Sequence, residues 1–210
     1  MRIDQEPRMQ IKHLAPFTLA ALMITSALAH NMKFTVGNAG GMKASQVFTF
    51  DSDADFENFT GLTHKVTGSI NFDPKTGNGG GRIVVDIASI DTGIALRNEH
   101  LQSDMWFNAE KFPQAVFEAT SVKRKGGDKY EITGKLTVHG VTKTIKTEAA
   151  AKYIKENEAT RKAMFVGDVI NLKTSFKVKL ADFGVMIPGP AKGKVAETIT
   201  VKLNVFGYTG

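Results

Sequence analysis

The sequence predicts an all-β domain, a sandwich or barrel of about eight antiparallel strands, and three observations carry that prediction. Apolar and polar residues alternate with period two over most of the chain, which sets one face of each strand against a core and the other in water. Turn sequences separate the alternating runs: Asp73-Pro74 with "TGNGGG", Gly126-Gly127-Asp128, His139-Gly140 and "IPGPAKG". No long helical period lies between them, which excludes a parallel sheet built on crossover helices.

Residues 1–29 stand apart from that pattern. An apolar run from Leu14 to Ile24 follows Arg8, Lys12 and His13 and ends in Ala27-Leu28-Ala29. This is the layout of a secretory signal peptide cleaved after Ala29, and the run falls short of the ~20 apolar residues a membrane span needs. Asp4 and Glu6 are unusual ahead of such a leader, so both Met1 and Met9 stand as starts. A periplasmic or secreted location is expected, without a stable membrane anchor. Residues 30–44, with "GNAGGMKA", read as a loose arm before the first strand. The remaining domain spans 45–210.

The strands follow in order. Phe48 and Phe50 share a face in "SQVFTFDS", as do Val66, Ile70 and Phe72 in the next run. Ile83, Val85 and Ile87 form a third set, Phe117 and Ala119 a fourth, and Tyr130, Ile132, Leu136 and Val138 a fifth. His139-Gly140 reads as a hairpin turn, with Gly supplying a positive φ, and Ile145 lies on the strand beyond it. The longest run sets Ile170, Leu172, Phe176, Val178 and Leu180 against Asn171, Lys173, Ser175, Lys177 and Lys179. Ile199, Val201, Leu203 and Val205 close the chain. The inner face is therefore expected to carry Phe48, Phe50, Ile70, Phe72, Val85, Phe117, Leu136, Ile145, Leu172 and Phe176. An eight-stranded barrel can enclose one small ligand, but the same side chains could interdigitate as a dry core. Alternation fits both.

Composition narrows the function classes. The chain has no cysteine, so neither a lipid-modified Cys nor a disulfide is available, and stability rests on the apolar core. The net charge is +6, but the lysines alternate along strands or sit in "KRK" at 123–125. That distribution fits a solvated strand face better than a nucleic-acid patch. The five histidines show no paired ligand spacing, so no metal is expected.

One segment, "LRNEHLQSDMWFNAEKFP" at 96–113, breaks the strand pattern. Leu101 and Met105 fall on one helical face with Arg97 a turn earlier, and Pro113 ends any helix. A short helix and turn over residues 94–110 is expected to lie across one end of the barrel as a lid. A catalytic reading would pair His100 with Asp104, one turn on. No Ser or Cys nucleophile sits in a strained glycine turn, so no catalytic residue is assigned and an enzyme is not expected. Asp91, Arg97 and His100 are expected to form a polar network that ties the lid to the rim or meets a ligand head group. Trp106 is expected to seal the core, with a place on the apolar lining.

Several spaced motifs occur in order: Ser89-Ile90-Asp91-Thr92-Gly93, Arg97 with His100-Leu101, Phe112-Pro113 with Phe117, "LTVHGVTK" from Leu136 to Lys143, and Asp182-Phe183-Gly184. Through these, the stretch from about Ser45 to Phe206 resembles the YceI-like polyisoprenoid-binding proteins. The resemblance implies an extended lipocalin-like antiparallel barrel with a long isoprenoid threading its interior. It also implies a place outside the cytoplasm and a link to isoprenoid handling and envelope stress. The expected partner is a quinone-like or other long apolar lipid held in an apolar tunnel, with no further cofactor and no nucleic acid; a homodimer is permitted. The alternative is a packed envelope module that binds through its loops and holds no ligand. The chain departs from the family pattern at Asn98-Glu99, where Arg-Asp usually leads directly to His-Leu. It departs again at Trp106-Phe107-Asn108, in place of paired Phe and Asp, and at Leu180-Ala181, in place of Asn-Arg. It resembles a divergent branch.

Overall fold

Eight strands close a ring. The computed structural model describes residues 31–37 and 46–210, so the signal-peptide expectation for 1–29 lies outside the described residues. The strands are β1 (Met32–Val36), β2 (Val47–Asp53), β3 (Asn58–Thr63), β4 (Val66–Phe72), β5 (Gly79–Asp86), β6 (Gln114–Gly126), β7 (Lys129–Val138), β8 (Val141–Ile154), β9 (Val169–Lys179) and β10 (Thr198–Tyr208). All pairings between these strands are antiparallel, in the order β1-β4-β5-β6-β7-β8-β9-β10. β10 returns to β1 through Thr35↔Tyr208 and Val36↔Gly207. The other half of β10 pairs with β2, from Thr200↔Asp51 to Asn204↔Val47, and β3 lies outside β2. A bridge between Leu62 and Asp91 then carries β3 back toward the segment after β5. One strand edge thus serves two partners, and the wall is continued by a hairpin at one end.

The loose arm expected over 30–44 is corrected where it is described. Met32–Val36 is the strand that closes the barrel, with Phe34 and Val36 buried between exposed Lys33 and Thr35. Five residues beside a glycine-rich stretch give too short an alternation to read locally; the pairing with β4 and β10 supplies the evidence. The rest of that arm, His30 and 38–44, lies outside the described residues.

The turn at 139–140 has φ of 51° at His139 and 75° at Gly140, both positive, as a type I′ hairpin requires. It joins β7 to β8 in the register Val138↔Val141. Beyond it the wall forks. β8 pairs with β9 only from Ala149↔Thr174 to Ile154↔Val169, so Val141–Glu148 has no strand neighbour on that side. The crotch of the fork is pinned by Thr147 and Thr174, whose hydroxyls lie 2.9 Å apart, and by Thr174 Oγ1 donating to Glu148 O at 2.7 Å. Its far end is spanned by His139 Nδ1, 3.3 Å from Phe183 O in the 3-10 turn at Leu180–Phe183. Lys143 pairs with inward-facing Leu136 yet is exposed, because no neighbouring strand covers it. An inward-side charge on an unpaired edge disfavours edge-to-edge pairing.

The lid contains the helix α1 (Ala95–Gln102). A second helix, α2 (Glu158–Lys162), starts at Asn157, whose side chain accepts from Ala159 N and Thr160 N in a capping box. The core divides into two clusters, one under the lid and one toward β1 and the opposite end.

Candidate functional site: an apolar cavity beneath the lid

The inward faces of β2, β5, β6, β7, β9 and β10 do not fill the barrel. Beneath the lid they leave a cavity of about 110 Å³, and below it a second of about 50 Å³. Phe48, Phe50, Val85, Phe117, Leu136, Leu172 and Phe176 line the first cavity. Ile70 and Phe72 line the second, with Phe117 and Leu172 bordering both. Ile145 packs against the upper core without lining either cavity, because its strand has already forked from β9.

The chemistry of the upper lining is nearly all hydrocarbon. Its only side chains with a polar atom are Thr147 and Thr174, and their hydroxyls are engaged with each other and with Glu148 O. Among the described residues no buried side-chain nitrogen or oxygen lacks a hydrogen-bond partner. A buried water needs two to four polar partners, and this cavity offers almost none. An apolar occupant meets no such cost.

The lid is held by a network different from the one expected. Arg97 donates from Nε to Thr92 Oγ1 at 3.0 Å and from NH2 to Thr92 O at 3.2 Å, and its NH1 is paired with Glu57. Its guanidinium carbon sits 4.2 Å from the centroid of Phe59. Asp91 instead accepts from Asn98 Nδ2 at 2.7 Å and from Gly93 N at 2.8 Å. The Asn98 amide first, and then the Gly93 N–H, hold the Asp91 carboxyl below its ordinary range. Asn98 Oδ1 also accepts from Thr92 N and Oγ1, at 2.8 and 2.7 Å. His100 is exposed and joins neither group. The helix stripe turned to the barrel runs through Arg97, Asn98 and Leu101, which leaves His100 on its outer flank. None of Asp91, Arg97 and His100 lines the cavities.

The helix also ends earlier than its sequence period suggests. Ser103 N–H bonds back to Glu99 O and His100 O, so Asp104 lies beyond the helix and Met105 swings out to 63% exposure. The chain then turns inward, burying Trp106 and Phe107. Phe107 lines the upper cavity, whereas Trp106 packs in the core around it and lines neither cavity. Sequence reasoning placed Trp106 on the lining and passed over Phe107, which the departure at Trp106-Phe107 could have flagged. It also passed over Phe183 and Val185 as lining residues, although both lie at or beside the Asp182-Phe183-Gly184 motif. Among the described residues no group of three or more His, Asp or Glu could hold a metal ion. No helix there is long and apolar enough to cross a membrane.

Comparisons with known proteins agree with this geometry. The YceI-like domain matches residues 41–206. Protein YceI of Salmonella newport (strain SL254) is 32% identical over 201 residues, covering 91% of this chain and 96% of that protein. Protein YceI of Salmonella arizonae is 32% identical over 193 residues, with the same coverage. Among solved structures, Burkholderia cenocepacia BcnA superposes with a TM-score of 0.65 at 24% identity, covering 77% of this chain and 95% of that one. A polyisoprenoid binding domain from Saccharophagus degradans, implicated in plant cell wall breakdown, gives 0.63 at 16% identity, covering 85% and 99%. At those identities the two structures speak for the fold. With the sequence match over most of its length and the closed antiparallel barrel, the chain belongs to the YceI-like family.

Proposed function

We propose that this protein is a non-enzymatic carrier or sequestering protein for a long-chain apolar lipid of the polyisoprenoid or quinone-like class, acting in the periplasm or outside the cell. The observation that carries this reading is the lining of the upper cavity, where the only polar side-chain atoms are two threonine hydroxyls already satisfied by protein partners. Burying a methylene stabilises by about 0.8 kcal/mol. A five-carbon isoprene unit would then contribute ~3 to 4 kcal/mol before ordering costs. Affinity therefore needs no charged contact, and selection would act on length and bulk. The polyisoprenoid-binding description of the Saccharophagus degradans domain supports the ligand class.

The test is organic extraction of the purified protein followed by mass spectrometry. A stoichiometric isoprenoid or other long lipid is expected. Repeatedly empty extracts, together with no uptake of quinone or prenol by the emptied protein, would overturn the carrier reading. As a control, Ala115→Phe adds a ring to a residue on the cavity wall and should abolish uptake while the barrel stays folded.

A further inference from the structure

The two cavities lie end to end and share four lining residues: Ile83 on β5, Phe117 on β6, Ile132 on β7 and Leu172 on β9. Ile83 and Phe117 stand directly opposite across the β5–β6 ladder. Together the four form a waist inside the barrel. Phe117 and Leu172 point inward yet are only partly buried, because each borders a void on two sides.

The lower void has a cause in the sequence. Ile83 and Val85 face inward, so Gly81 and Gly79 hold the next two inward positions on β5, opposite Ile70 and Phe72 on β4. Glycine weakens a strand and often marks a close backbone approach. Here a Cβ on Gly81 would lie 2.5 Å from Ser69 O, so the strands approach too closely for any side chain. Ala119, paired with Gly81 on the neighbouring strand β6, and Ala151 on β8 also line this void with small side chains. A third glycine seats the waist ring itself. A Cβ on Gly134 of β7 would fall 2.4 Å from Phe117 Cζ, so the ring lies where a side chain is missing.

We propose that the lower cavity is a second chamber for the far end of the lipid tail, and that Phe117 is the specificity-determining residue between the chambers. The proposal rests on the carrier reading. Along β9 the upper cavity runs from Leu172 to Val178, about 20 Å of strand at about 3.3 Å per residue. A short prenyl tail ends above the Phe117 ring. A long tail enters the second chamber only after the ring swings off its seat on Gly134, so the ring penalises long chains selectively.

The experiment titrates delipidated wild type, Phe117→Ala and Ala119→Leu with farnesol, a short prenol, and solanesol, a long one. Phe117→Ala is expected to raise affinity for solanesol relative to farnesol by about tenfold, equivalent to about 1.4 kcal/mol. Ala119→Leu narrows only the lower chamber and is expected to lower solanesol affinity while leaving farnesol unchanged. A solanesol-to-farnesol ratio held within about twofold in both variants would overturn the two-chamber proposal and leave the carrier reading standing. If Phe117→Ala does not fold, Ala119→Leu decides alone by the same ratio. Wild type that takes up neither prenol removes the carrier reading, and the proposal with it.

Discussion

Tyr153 donates its phenolic hydrogen to Oδ2 of Asp168 across 2.6 Å. Asp168 Oδ1 accepts from Glu156 N at 2.8 Å, so the carboxylate ties the end of β8 to the start of β9. Burial, then the bond to Asp168, pushes the Tyr153 hydroxyl up to about 12, and the same bond leads the causes that lower Asp168.

The pair predicts a pH dependence with two limbs. Asp168 is depressed in the folded state, as are Asp51, through Lys202 and then Thr60, and Glu131, through Lys146 and then Lys125. Their contribution is complete above the unfolded carboxyl values of about 4 and is lost as pH falls through the lower folded ones. Tyr153 has the opposite sign: its contribution is complete below an unfolded value of about 10 and fades as pH rises through the folded value. Denaturant midpoints measured against pH should fall at both ends. Tyr153→Phe should cost about 1 kcal/mol near neutrality and weaken the alkaline limb, leaving the part carried by Tyr130, which burial also raises.

Arg97 anchors the lid to the β2–β3 hairpin. Its side chain is 18% exposed, against 42% for Glu57. Arg97→Ala loses the ring contact and three polar contacts, and should cost about 1–2 kcal/mol. Glu57→Ala should cost less than about 1 kcal/mol, because its carboxylate faces solvent. Faster proteolysis within 94–111 in the arginine variant, at unchanged far-UV circular dichroism, would separate lid release from global unfolding.

Trp106 and Phe107 divide two roles between neighbours. Trp106, the sole tryptophan, is 7% exposed and lines neither cavity, so its emission should be blue-shifted. Trp106→Ala should cost about 3–5 kcal/mol, while Trp106→Phe should retain lipid uptake. Phe107→Ala should weaken uptake directly, because Phe107 borders the void. Paired chemical denaturation and prenol titration check the division.

His100→Ala should change stability by no more than about 0.5 kcal/mol, as an exposed site without a side-chain network does. Lipid uptake should be unaltered. A loss of either would return His100 to the lid network that the structure assigns to Arg97 and Asn98.

Strand parity was legible because it is local. A side chain's face follows from its position along one strand, so Phe48, Phe50, Val85 and Leu136 could be set inward from alternation alone. The His139-Gly140 turn was legible for the same reason, since a two-residue hairpin is specified by the residues within it. Ile145 shows where that reasoning stops: its parity is right, but whether it meets the void depends on where β9 leaves β8.

The sequence by itself determined an all-β chain, its turns, its inward apolar set and its family. Tertiary structure alone decided that Met32–Val36 closes the ring, that Arg97 finds Glu57 forty residues away, that Phe107 rather than Trp106 faces the cavity, and that β5 glycines open a second chamber. Alternation is a property of neighbouring residues. Voids and ion pairs across a barrel depend on closure and register, which bring together residues that no short stretch of chain contains.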